Sequence, residues 1–205
     1  MTAPVTGRNR RRFAAVLFDL DGTLADTALD FTAIRADIGV PEGIGILEYL
    51  ADMEDAAHAE RGRQRLHAFE MRGALAAQWI DGAEALLQRL ASAGVPTGIL
   101  TRNSLAAVAA TRRVLALPVD CILTREDCSP KPDPQGLLML SQRLNVAPRD
   151  CVYVGDFVYD LQAASNAGMA ACLLRNAGNG RFAEQADLVI DHLSELLPLA
   201  GLDQS

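Results

Sequence analysis

The stretch from Ala14 to Phe18 is apolar at every position and runs straight into Asp19. A run with no polar relief reads as a strand buried on both faces, the condition of parallel sheets covered by helices on each side. Cys151 to Val154 and Ala170 to Leu174 repeat that texture. From Asp81 onward, strand-like and helix-like segments alternate. Asp81 caps a predicted helix to about Ala93, and Gly94 stops it. Pro96 to Leu100 is a predicted strand. Ser104 caps a helix ending near Leu117, and Val119 to Leu123 is a short strand. Pro134 opens a helix to about Leu144. Tyr159 to Ala167 is helical and stops at Gly168. A short strand at Leu188 to Ile190 precedes a terminal helix from His192. Alternation at this spacing builds βαβ units. The predicted class is α/β, a three-layer Rossmann-like parallel sheet core formed by residues 13–25 and 81–200.

Residues 26–80 interrupt that order. Asp26 or Thr27 caps a predicted helix to about Ile38, closed by Gly39 and Pro41. A second helix is expected near Gly45 to Met53. A third runs from about Glu54 to Trp79, where Leu66, Phe69, Ala76 and Ile80 recur at intervals of three, seven and four. Met71, Leu75 and Trp79 lie on a neighbouring stripe, as in an amphipathic helix. Gly62 and Gly73 inside it each cost about 1 kcal/mol relative to alanine, so a break at either is allowed. No strand signal appears in this segment, which reads as an all-helical cap inserted after the first strand. No internal repeat or low-complexity linker is evident.

The chain of 205 residues is half hydrophobic, enough for one substantial core. Its net charge of −7 argues against nucleic acid as a partner. The basic cluster Arg8, Arg10, Arg11 and Arg12 reads as a solvated, flexible arm over residues 1–12. No stretch is apolar for long enough to span a bilayer, and the start lacks a signal-peptide h-region. Cys121, Cys128, Cys151 and Cys172 form no CxxC pair and read as small apolar residues in a reducing compartment. A cytoplasmic protein, monomeric or homodimeric, is expected. Lysine occurs once, at Lys131, against eighteen arginines. An ammonium is a compact point charge on a flexible stem, which a planar guanidinium does not imitate.

Ligands of open parallel sheets bind beyond the carboxyl ends of the strands. Asp19, Thr101 and Asp156 each follow a predicted strand directly, and Lys131 sits in the loop before a helix. Strand ends alone therefore place two acids, a hydroxyl and an ammonium on one rim, with Asp21 and Asp160 close by. Side chains alternate along a strand, so Asp19 and Asp21 face the same way. Such acids repel unless a cation lies between them. Oxygen donors without histidine or thiolate suit a hard ion, and Mg²⁺ is the default. Together with Lys131 and the backbone N–H groups of Arg102 and Asn103 after Thr101, this is a pocket shaped for a phosphoryl group. Asp19 is then placed as nucleophile, once positive charge screens the two anions from each other. Asp21 is placed to protonate the leaving oxygen and later to activate water.

Four segments carry a family resemblance: Asp19-Leu20-Asp21-Gly22-Thr23-Leu24, Ile99-Leu100-Thr101-Arg102-Asn103, Lys131-Pro132-Asp133-Pro134 and Gly155-Asp156-Phe157-Val158-Tyr159-Asp160. In this order they resemble the four motifs of the haloacid dehalogenase (HAD) superfamily, over about residues 13 to 200. The resemblance implies that Asp19 is nucleophile and metal ligand. It makes Asp21 the acid/base, binding metal through its backbone carbonyl. Thr101 and Lys131 hold phosphoryl oxygens, and Asp156 completes the metal site. Asp160 steadies the metal's water or the lysine. The insert is similar to the small helical (C1-type) cap of phosphoglycolate-phosphatase-like members, but it is short, and an arginine follows the motif threonine. A substrate carboxylate or second phosphate could be read by Arg35 in the cap. The function implied is a Mg²⁺-dependent phosphatase acting on a small phosphorylated metabolite, phosphoglycolate-like or a sugar phosphate. The alternatives are a sugar-phosphate phosphomutase, a phospho-accepting signalling receiver and a non-catalytic phosphate-binding scaffold. Gly178-Asn179-Gly180 reads only as a turn.

Overall fold

The structure is a computed structural model and describes residues 13–202; the predicted N-terminal arm lies outside them. Six strands form one sheet: β1 (Ala15–Phe18), β4 (Thr97–Leu100), β5 (Ile122–Leu123), β6 (Cys151–Gly155), β7 (Ala170–Leu174) and β8 (Leu188–Ile190). Their order is β5-β4-β1-β6-β7-β8, and every pair is parallel. The first strand is therefore central, and its C-terminal end opens at the middle of the rim.

Alternation along β1 explains why an all-apolar run is needed there. Val16 and Phe18 join one core, with Leu86, Leu87 and Leu90 of α4 (Ala83–Ser92) and Leu196 of α8 (Leu196–Leu199). Ala15 and Leu17 join the other, with Leu137 and Leu140 of α6 (Gln135–Arg143) and Leu161 of α7 (Val158–Ala167). Both faces of the strand are dry, and three layers result. Between β4 and β5 lies α5 (Leu105–Leu115), capped by Ser104, whose side chain accepts from the Ala107 N–H.

The insert contains α1 (Phe31–Ile38), α2 (Ile46–Ala51) and α3 (Ala56–Leu75). They share a separate apolar cluster of Ile34, Ile38, Ile46, Leu50 and Leu66. Three sequence expectations change here. First, the segment is not wholly helical: β2 (Ala25–Asp26) pairs antiparallel with β3 (Gln78–Trp79), a two-stranded ribbon at the foot of the insert. Strands of two residues show no period, so polarity did not reveal them. Second, α1 starts later than expected, capped by Asp30, because Asp26 is in the ribbon and Thr27 is buried against Asp21. Third, Asp81 does not cap α4; Gly82, at φ 76°, takes that place.

α3 is not broken at either glycine. Its buried line is Ala59, Gly62, Leu66, Glu70 and Gly73, while Leu75, expected on an apolar stripe, is exposed. The glycines sit at close approaches. A Cβ on Gly62 would lie 2.4 Å from Leu50 Cδ2, and one on Gly73 would lie 2.6 Å from the Thr27 carbonyl oxygen. Further along, Ala74 packs on Ala107 and Ala110 of α5, joining insert to core through small residues. Among the described residues, no helix is long and apolar enough to cross a membrane.

Gly73→Ala adds the better helix former, worth about 1 kcal/mol in an open helix. Here the contact with Thr27 backbone should dominate, for a net loss of about 1–3 kcal/mol in urea unfolding. A stabilised variant would contradict the close approach.

Candidate active site

Asp19, Asp156 and the loop carrying Lys131 converge at the C-terminal rim of β1 and β6. Asp19 continues β1, and its N–H donates to the Val154 carbonyl at 2.8 Å, so the acid is held by sheet hydrogen bonding to its neighbour strand. Lys131 is 3% exposed. Its Nζ lies 2.7 Å from Asp19 Oδ1, 2.6 Å from Asp160 Oδ1 and 3.0 Å from the Tyr153 hydroxyl. The tyrosine in turn donates to the Leu100 carbonyl at 2.9 Å. Asp160 Oδ2 accepts from the Phe157 N–H at 3.0 Å at the start of α7. A long, flexible cation is thereby fixed on three sides, with its charge placed against the acid that ends β1.

Two glycines make the approach possible. Gly22 has φ 79°, and a Cβ there would meet Asp156 Oδ2 at 2.6 Å. A Cβ on Gly155 would meet the Asp160 Cβ at 2.3 Å. Asp156 is braced from outside by Asn176 Nδ2, 3.3 Å from its Oδ2, and by Asn179, whose amide donates to the Asp156 carbonyl at 2.8 Å. The turn around Gly178 is thus a support for an acid. The Asp21 side chain points to Thr27, accepting from both its hydroxyl and its N–H. Thr101 is buried, and its Oγ1 accepts from the Asn103 N–H at 3.1 Å.

One oxygen each of Asp19, Asp156 and Asp160 lie within 4.8 Å of one another. Three carboxylates thus face one ammonium, and every donor is oxygen. That set fits a hard divalent cation. The electrostatics carry the same message. Burial pushes the Asp19 carboxyl up to about 8; Lys131 opposes the shift and Asp160 adds to it. Burial, then Asp160 and Asp21, push Asp156 up to about 7. Asp21 is raised chiefly by burial, against the pull of its Thr27 hydrogen bonds. Burial alone would lower Lys131, but Asp160 and Asp19 outweigh it and hold the ammonium above its ordinary value.

These acids line a cavity of about 430 Å³ closed on its far side by the insert. Phe31, Leu47 and Leu66 form the apolar wall there, and Phe157 and Tyr159 face them from the core. Arg35 also lines it; its guanidinium donates to the Pro41 and Ile44 carbonyls at 2.8 and 2.5 Å. Arg102 turns its guanidinium sideways, to the Lys131 carbonyl at 2.6 Å and to Glu48 of α2. Sequence reasoning missed Tyr153, Asn179, Glu48, Glu70 and Arg125. Tyr153 stands inside an apolar run and read as core. The arginine had a visible signal: Ile-Leu-Thr-Arg occurs at 99–102 and again at 122–125.

Residues 13–168 match the family described as haloacid dehalogenase-like hydrolase. The chain belongs to that family. A phosphoglycolate phosphatase of Xylella fastidiosa is 32% identical over 86% of this chain and 88% of its own length. An N-acetylmuramic acid 6-phosphate phosphatase of Pseudomonas aeruginosa is 27% identical, covering 92% of this chain and 95% of its own. Among solved structures, a HAD family hydrolase of Deinococcus radiodurans, with bound phosphate and sodium, superposes with a TM-score of 0.69 at 25% identity. That match covers 94% of this chain and 98% of the other.

The raised acids give the metal-free HAD protein a defined pH response. Asp19 and Asp156 keep protons in the folded state, at about 8 and about 7, that the unfolded chain loses near its ordinary value of 3.8. Between about pH 4 and pH 8 the native state therefore binds more protons, and stability falls as pH rises. The fall is at most about 1.4 kcal/mol per pH unit for each group. Melting temperatures of chelator-treated protein should drop across that window, and a divalent cation should flatten the drop. A stability that rises with pH there would contradict the buried acid cluster.

Proposed function

We propose that this HAD hydrolase is a Mg²⁺-dependent phosphatase of a small phosphorylated metabolite, working through a phosphoryl-aspartate on Asp19. The enzyme is a phosphoric monoester hydrolase of its family. The observation that carries the mechanism is the 2.7 Å approach of the Lys131 ammonium to Asp19 at the floor of the cavity.

Asp19 and Asp156, with the Asp21 carbonyl, would hold the cation. Bound there, Mg²⁺ would supply positive charge to the acids and to the phosphoryl oxygens. Lys131, Thr101 and the backbone N–H groups of Arg102 and Asn103 orient the phosphoryl group and offset its charge. An Asp19 oxygen attacks phosphorus while the bond to the ester oxygen breaks. Asp21, raised by burial, gives its proton to that leaving oxygen. It then takes a proton from the water that attacks phosphorus, which releases inorganic phosphate and restores Asp19. Asp160 keeps Lys131 on Asp19 through the cycle.

The insert acts as a cap that excludes bulk water and faces the leaving group. Its wall sets the substrate, and Arg35 is the cationic cap residue that lines it. The relatives named for phosphoglycolate and for N-acetylmuramic acid 6-phosphate support phosphorylated hydroxy acids and amino sugars as the first panel. The four free thiols fit a reducing compartment, and the cytoplasm is the proposed location.

With para-nitrophenyl phosphate and Mg²⁺, the wild-type chain should release phosphate, and a chelator should stop it. Asp19→Asn should lower kcat by roughly 10³-fold or more while the fold persists. Appreciable turnover by that variant would remove Asp19 as nucleophile. Release of free phosphate, rather than an isomerised sugar phosphate, separates hydrolysis from phosphoryl transfer within the substrate.

A further inference from the structure

The side chains of Arg102 and Arg125 have no part in the chemistry above. Both end the tetrapeptide Ile-Leu-Thr-Arg. β4 and β5 pair in parallel with Ile99 opposite Ile122 and Leu100 opposite Leu123, so the two Thr-Arg ends leave the sheet side by side. Each arginine then reaches from the core to a glutamate of the insert. Arg102 Nη2 donates to both Glu48 oxygens at 2.7 Å. Arg125 forks Glu70 of α3 with Nη1 and Nη2, and Glu70 is 4% exposed.

Arg102 makes two more contacts. Its Nη1 donates to the Lys131 carbonyl at 2.6 Å, and its guanidinium lies 4.8 Å over the Tyr159 ring. Arg125 Nη1 meanwhile donates to the Arg102 carbonyl at 3.2 Å. One planar group therefore joins a cap carboxylate to the backbone of the lysine that touches Asp19. A guanidinium suits this because its donors diverge in one rigid plane that also stacks on an aromatic face; an ammonium has no such fork.

The insert is shaped for the same contact. A Cβ on Gly45 would lie 1.8 Å from Glu48 Oε2. Gly45 has φ −65°, which any residue adopts, so the backbone does not call for glycine there. The Glu48 carboxylate folds back across Gly45 to face Arg102, and a Cβ there would push it aside.

We propose that Arg102 is a positioning residue that passes the docking of α2, sensed through Glu48, to the backbone of Lys131. The lysine is then fully aligned on Asp19 only when the cap is engaged. This rests on Lys131 acting as proposed above. A clasp that merely held the cap to the core would alter substrate retention and leave the lysine unchanged.

Lys131 is the only lysine in the chain, so acylation by an amine reagent, read by mass spectrometry on its peptide, reports its mobility directly. Arg102→Gln, Glu48→Gln and Gly45→Ala are compared with wild type, the last changing no charge. Arg102→Gln should lower kcat at least about tenfold with KM within about threefold. Its Lys131 should be acylated at least about fivefold faster than in wild type, since the side chain is normally 3% exposed. Glu48→Gln and Gly45→Ala should move both readouts in the same direction. The Glu48→Gln/Arg102→Gln double variant should be no worse than Arg102→Gln, because both act along one path. Losses that multiply in the double variant, or a change confined to KM with Lys131 acylated at the wild-type rate, would overturn the proposal. Should wild type hydrolyse no phosphomonoester, the phosphatase reading fails by itself, and acylation decides the bridge. Faster labelling in all three variants supports it, and unchanged labelling overturns it.

Discussion

A single ammonium held among buried carboxylates sets the terms for this molecule. Lys131 faces Asp19 and Asp160 in a place that solvent hardly reaches. An unpaired charge there would be costly, and the acids outnumber the cation that faces them. The sheet order follows from the need to gather these groups. β1 lies between β4 and β6, so the residues after all three strands meet at one rim. Glycines at 22 and 155 then remove the Cβ atoms that would keep the acids apart.

The insert extends the same logic outward. Its apolar cluster is its own, and its connection to the core is made of small residues, a short ribbon and two arginine–glutamate pairs. Small residues bury little apolar area, and the part-exposed Arg102–Glu48 pair holds less tightly than a shared apolar core; the Arg125–Glu70 pair is the buried tie. An element attached that way can move as a body while its own packing stays intact. What it covers is a cavity whose floor is charged and whose roof is largely apolar. Closure of such a boundary would keep water from the charged end, where electrostatic interactions then strengthen.

Much of the site was legible because strand ends decide position without knowledge of side-chain packing. Asp19, Thr101 and Asp156 each follow an apolar run, and the lone lysine stood out in a chain of arginines. The fold class was legible for the same reason, since dry strands alternate with amphipathic helices. What the sequence hid were the partners. Tyr153 carries a hydroxyl inside a run that reads as core, yet it meets Lys131. Glu70 carries no signal of its own in a polar-rich helix, and its partner Arg125 is 55 residues away. Gly62 and Gly73 read as weak points in a helix, although they are the close approaches that let α3 dock. Propensity scores a residue by its neighbours in sequence. These four are decided by neighbours in space.

Acids buried around one lysine hold protons near neutral pH that a divalent cation would displace. Calorimetric titration of Mg²⁺ at pH 7, in buffers of different ionisation enthalpy, counts the protons released per ion bound. With Asp19 at about 8 and Asp156 at about 7, one ion per chain should bind with release of roughly one proton. Binding without proton release, or no binding at all, would contradict the account.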